Sequence, residues 1–156
     1  MLFRSEHHQT ATCLDVAAPL SLAILARQTS KGRICILGNP VANRGDPLRI
    51  AEEMAMIDCI SGGRLIAGFP VGTAMDTAYA YGQNPSLLRP RYYEAIDLIT
   101  KAWQAEQPFS YNGRFNQQRY VNSWPRPVQS PRPPVWIPGS GSIETWDLCE
   151  IGRAHV

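Results

Sequence analysis

Residues 33–68 constrain the fold more tightly than any other part of the chain. Residues 33–37 (RICIL) form a short apolar run rich in β-branched side chains, which reads as a buried strand. Gly38, Asn39 and Pro40 stop it, and residues 43–46 read as a polar loop. Asp46-Pro47 then opens a helix, with an acidic N-cap and proline at the first helical position. Ile50, Met54 and Ile57, with Ala51 and Ala55, keep the helical period until Ser61-Gly62-Gly63 closes it. Residues 64–68 (RLIAG) make the next buried strand. A strand, a helix and a second apolar strand at this spacing form a parallel crossover. The expectation is an α/β fold with a parallel sheet.

The rest of the chain extends the alternation. Residues 19–30 predict a helix with Leu20, Ala23, Ile24 and Arg27 on one face. A long loop over 69–88 leads to a helix over 89–106, with Tyr92, Ile96, Ile99 and Trp103 on its apolar face. Residues 109–115 signal a hairpin, because Asn112-Gly113 suits a type I′ turn. Residues 124–134 hold five prolines and must run extended. Residues 135–137 form a further strand, and a helix begins near Ile143. A fourth strand ends at Glu6. Four strands cannot close a barrel and leave open edges prone to aggregation.

Composition excludes some partners. The net charge is only +2, and the basic residues are scattered with no stripe among aromatics, so no nucleic-acid surface is expected. No apolar run approaches the ~20 residues of a membrane helix. Cys13, Cys35, Cys59 and Cys149 lack a CxxC pair and read as buried free thiols, which fits the cytoplasm. His7, His8 and Cys13 make a poor metal set, because adjacent histidines face opposite ways.

The termini carry a separate signal. Residues 1–5 (MLFRS) and 150–156 (EIGRAHV) can be encoded by reverse-complementary DNA, as a sequencing-library adapter translated at both ends would be. The expected native segment is 6–149, an internal piece of a longer protein.

In parallel α/β folds ligands sit at the carboxyl ends of the strands. Four places qualify. At Glu6-His7-His8, a histidine serves as acid or base near neutral pH, and the glutamate can orient one ring; a surface pair without a role reads equally well. At Gly38-Asn39, glycine allows either a close backbone approach or a turn. The run 68–72 (GFPVG) is similar. At Gly139-Ser140-Gly141-Ser142, glycine N–H groups, serine hydroxyls and a following helix N-terminus can cradle a phosphate, or form an ordinary turn capped by Ser142. Tyr79 and Tyr81 can line a pocket. Trp103 and Trp136 read as core, Trp124 as a loop anchor, and Arg89 and Arg91 as solvated.

Taken together, EHH, LGNP, DPLRIAEEMAMIDCISGGRLIAGF, RYYEAIDLITKAW and VNSWPRPVQSPRPPVWIPGSGSIETW resemble the bacterial luciferase-like flavin-dependent monooxygenases. The wording is nearest to limonene- and alkanal-monooxygenase-like members. The resemblance implies part of a TIM-type (β/α)8 barrel, from the end of strand 2 to the start of helix 5. It implies FMN, delivered reduced by a separate NAD(P)H:flavin reductase, and O₂ as co-substrate for a small apolar molecule. It implies a full-length homo- or hetero-oligomer. By position, His7 matches the family's catalytic histidine and His8 its neighbour. Gly139, Ser140, Gly141 and Ser142 match the phosphate turn, and Gly38 and Asn39 the strand end against the flavin ring. Luciferase itself has cysteine then arginine where this chain has Pro70 and Val71, which points away from luminescence. A deazaflavin-dependent reductase or dehydrogenase of the same superfamily, and a non-catalytic flavin-binding protein, are the alternatives.

Overall fold

A computed structural model describes residues 1–72, 74–139 and 143–150. Ser140, Gly141 and Ser142 therefore lie outside the described residues.

Four parallel strands make one sheet: β1 (Leu2–Ser5), β2 (Ile34–Gly38), β3 (Leu65–Gly68) and β6 (Val135–Trp136), in that spatial order. Helices α1 (Ala18–Gln28), α3 (Pro47–Ser61) and α5 (Leu88–Gln104) follow the first three strands, and α6 (Ile143–Glu150) follows the last. This is the serial βα order of the barrel expectation. Neighbouring helices pack pairwise against one face of the sheet, burying Ile34, Ile36, Leu65, Ala67 and Val135 beneath them. The opposite face carries Cys35 and Ile66, which lie side by side in the register.

The crossover forms as its residues dictate. Asp46 caps α3, its carboxylate accepting from Leu48 N (3.1 Å) and Arg49 N (3.2 Å). Gly62 ends the helix at φ +66°, a left-handed conformation that glycine adopts without strain. Gly68 is demanded by packing: a Cβ there would crowd the Ile36 carbonyl and stand 2.6 Å from Leu37 Cα.

Several expectations are corrected. On α1, Ala18, Leu22 and Ala26 are buried, whereas Leu20 and Ile24 are exposed. Ala18 and Ala26, on either side of Leu22, let this face settle closely, which turns Leu20 and Ile24 outward. The 43–46 loop overlaps a one-turn helix, α2 (Val41–Arg44). The 69–88 loop contains α4 (Met75–Ala80) and a 3₁₀ turn (Pro85–Leu87). The hairpin β4 (Phe109–Asn112) and β5 (Gln117–Val121) lacks the two-residue turn. Glu94 of α5 instead accepts from the backbone N–H groups of Arg114, Phe115 and Asn116 (2.6–3.2 Å), which opens the turn over 113–116. Trp124 does not anchor its loop; it is exposed beneath Arg126. Of the thiols only Cys35 is buried. Among the described residues no helix is long and apolar enough to cross a membrane.

Candidate functional site

The carboxyl ends of the four strands meet around a cleft of about 480 Å3. Its rim includes Glu6, His7 and His8 after β1, Gly38 at the end of β2, Val71 and Gly72 after β3, and Gly139 after β6. The volume lies within the usual range for small-molecule sites. Five of the eight candidate residues named from the sequence are described here, and four of those five line this cleft; the fifth, Asn39, is buried between Gly38 and Pro40, which do line it.

The backbone places these groups by extending the sheet. Glu6 N donates to Gly38 O at 3.0 Å, continuing the β1–β2 ladder by one rung. Phe69 N donates to Trp136 O at 2.9 Å on the other side. A Cβ on Gly38 would collide with Ser5 Oγ, so only glycine lets β1 end this close. Gly72 has φ +78°, and a Cβ there would stand 2.8 Å from Pro40 and 3.1 Å from Asn43 Nδ2. The loop after β3 is thereby pressed onto the loop after β2. Tyr92 fixes that loop's start, its buried hydroxyl donating to Phe69 O at 2.9 Å. Burial pushes the Tyr92 phenol well above its usual range, so it stays a neutral donor.

The two histidines part company. His7 is exposed, and its ring has no hydrogen bond or ion pair among the described residues. His8 is largely enclosed. Its Nδ1 lies 3.1 Å from the Tyr81 hydroxyl and its Nε2 3.5 Å from Glu6 Oε1. The Tyr81 ring stands edge-on to it at 5.4 Å between centroids. Glu6 is buried at 6% exposure. Burial raises its carboxyl above the ordinary value, against the pull of the Arg44 and His8 charges. Arg44 is held in turn by Glu53 at 2.7 Å.

Two buried amides stand unsatisfied. Asn39 is fully buried, and neither its Nδ2 nor its Oδ1 has a partner; Asn43 Oδ1 also has none. Orphaned polar groups cost stability, and in a functional cleft they mark what a ligand completes. The glycine-crowded strand ends, the orphaned amides and the volume fit a flat, polar-edged cofactor.

The luciferase-like monooxygenase family model matches residues 1–148. The chain belongs to this family. It is 32% identical over 161 aligned positions to the oxygenase component of the flavin-dependent trigonelline monooxygenase of Acinetobacter baylyi, covering 96% of this chain and 42% of that protein. Its fold matches the oxygenating constituent of 3,6-diketocamphane monooxygenase from Pseudomonas putida, solved with FMN, at TM-score 0.76 and 18% identity. That match covers 86% of this chain and 40% of the other. A secondary alcohol dehydrogenase dependent on F420, a deazaflavin, matches equally at TM-score 0.76 and 17% identity, over 88% and 42% of the two chains. The chain thus spans about two fifths of the luciferase-like relatives it matches, and its sheet is a partial (β/α) barrel.

Sequence reasoning undervalued Tyr81, grouped only loosely with Tyr79, and set Arg89 aside as solvated although it reaches the cleft. Asn43 was missed entirely. Its signal was available: an amide four residues after Asn39, in a stretch bounded by glycines.

Proposed function

We propose that the full-length protein is a monooxygenase that uses reduced FMN and O₂ to oxidise a small apolar molecule such as an alkanal, ketone or terpene. The observation that carries this reading is the pair of orphaned amides, Asn43 lining a cleft at the carboxyl ends of parallel strands and Asn39 buried between two of its lining residues. Reduced FMN, when bound, supplies the electrons that activate O₂. Gly38 and Asn39 would lie against its ring system, and Gly139, Ser140, Gly141 and Ser142 would hold its phosphate. Leu37, Pro70, Val71 and Pro138 line the cleft with apolar surface, which suits an apolar substrate and excludes water. His7 and His8 supply groups that hold or move a proton. A separate NAD(P)H:flavin reductase as electron source accords with a relative named as an oxygenase component. Assembly into an oligomer accords with Leu20, Ile24 and Met56 standing exposed on α1 and α3, which pack against each other.

The equal fold match to an F420-dependent dehydrogenase supports a second reading, hydride exchange with a deazaflavin. The full-length protein separates the two. Titrated anaerobically with reduced FMN and then mixed with O₂ and an alkanal or ketone, it should consume O₂ in step with product. Turnover of a secondary alcohol with deazaflavin, and no O₂ uptake with reduced FMN, would overturn the monooxygenase reading.

A further inference from the structure

His7 and His8 occupy the same strand end, yet only His8 is built into a network. Glu6 lies on its Nε2 side and Tyr81 on its Nδ1 side. We propose that Tyr81 is a positioning residue that holds His8, and not His7, ready to gain and lose a proton at Nδ1. As a use for that proton the inference rests on the redox reading of the cleft; as geometry it stands alone.

The argument turns on what each neighbour can do. An ionised carboxylate only accepts, so Glu6 favours a proton on Nε2. That leaves the Nδ1 lone pair free, and the Tyr81 hydroxyl donates to it. When a proton arrives at Nδ1, both ring nitrogens become donors. The hydroxyl then rotates, its oxygen accepts from Nδ1–H, and its own hydrogen turns outward. Only N–H and O–H groups change partners. A carbonyl in place of Tyr81 would serve the charged ring alone, and a backbone N–H the neutral ring alone. A hydroxyl serves both.

The rest of the surroundings agree. Tyr81 is half exposed and Glu6 buried, so a proton reaches Nδ1 from the Tyr81 side and not through the carboxylate. The charged groups that share a pocket wall with His8 are Arg44 and Glu53, which form an ion pair of no net charge, on one side, and Asp76 and Arg89 with His7 on the other. Tyr81 is set by α4, whose end it caps: its backbone N–H donates to Thr77 O at 3.1 Å. Gly82, at φ +65°, turns the chain away immediately afterwards. The short helix thus presents one side chain to His8 from the loop after β3, across more than seventy residues of sequence.

The test reads the imidazole nitrogens directly. Flavin-free full-length protein is labelled with ¹⁵N in its histidine rings, and long-range ¹H–¹⁵N spectra give the tautomers. His8 should hold its proton mainly on Nε2. Tyr81→Phe keeps the ring contact and removes only the hydroxyl. Because the hydroxyl serves both states of Nδ1, its removal should shift the His8 Nδ1 resonance, which loses its hydrogen-bond partner, while the ratio of Nε2–H to Nδ1–H forms, set by Glu6, holds and the His7 signals stay unmoved. Glu6→Gln approaches from the other side and should lower the same ratio. A wild-type His8 protonated mainly on Nδ1, or an Nδ1 resonance that Tyr81→Phe leaves in place, overturns the proposal. Because no flavin is present, the result is independent of FMN binding: a Tyr81-dependent Nδ1 resonance in a protein that refuses reduced FMN would uphold Tyr81 and sink the monooxygenase reading.

Discussion

The two ends of the sheet follow opposite rules. At the amino ends of the strands, Arg64 and Asp58 have every polar side-chain atom paired. Arg64, just before β3, uses all five of its N–H donors, to Ser61 O, Thr29 Oγ1, Gly32 O, Ala26 O and Thr29 O (2.7–3.0 Å). Buried Asp58 accepts from Val128 N, Gln129 N and Gln129 Nε2 (2.7–3.0 Å), tying the proline-rich run to α3. At the carboxyl ends, Asn39 and Asn43 keep unpaired amide atoms, and glycines hold loops in contact that any side chain would separate. One end is saturated and the other is left unfinished. In a parallel barrel the first arrangement serves stability and the second serves a ligand.

The sharpest break of this contrast is at Arg64. Arg64→Met keeps the length of the side chain and removes every donor. It removes the donor from five acceptors, at the end of α1, the end of α3 and just before β2, of which Thr29 Oγ1 keeps its bond to Leu25 O. Hydrogen bonds to a charged group are worth about 1.5–3 kcal/mol each, but water reaches some of these acceptors, so a loss of about 3 kcal/mol is expected. Urea denaturation measures it. Flavin affinity, read at the other end of the sheet, should hardly change.

Asn39 should behave in the opposite way. Asn39→Leu conserves volume and removes two buried groups that bond to nothing in the flavin-free protein. The flavin-free fold should be unchanged or gain up to about 1 kcal/mol. Flavin affinity should fall. A destabilisation as large as that of Arg64→Met would erase the distinction between the two ends, since it would mean that Asn39 is already satisfied.

The saturated end was also the legible one. The capped helix α3, the glycine that ends it and the strands on either side follow from local patterns, because each signal lies within a few residues of what it controls. The barrel class followed from them together with the family resemblance. The unfinished end depends on contacts between distant segments. Nothing near His8 announces Tyr81, which reaches it from α4, and α4 was hidden because it is six residues long and has no side-chain cap. The hairpin turn failed for the same reason: Glu94, some twenty residues upstream, overrides the local preference of Asn112-Gly113. Leu20 and Ile24, exposed on α1, show that periodicity finds a helix without telling which face the tertiary packing will choose.

The smallest effect is a pH dependence at Glu6. Burial raises its carboxyl above the ordinary 4.5 in the folded chain, although Arg44 and His8 oppose the shift. A carboxyl raised by folding binds its proton more tightly in the native state than in the unfolded one. Its contribution to stability is fully present below the unfolded value and is lost as pH rises through the folded one. Glu6→Gln replaces the group with a neutral amide of the same shape and should flatten the stability profile in that window, just above pH 4.5. Below the window, variant and wild type should differ little. Denaturation midpoints taken through the window, in both proteins, report the difference. A wild type that instead gains stability relative to Glu6→Gln as pH rises would show that the Arg44 and His8 charges outweigh burial, and Glu6 would then belong with Asp58 among the fully compensated groups.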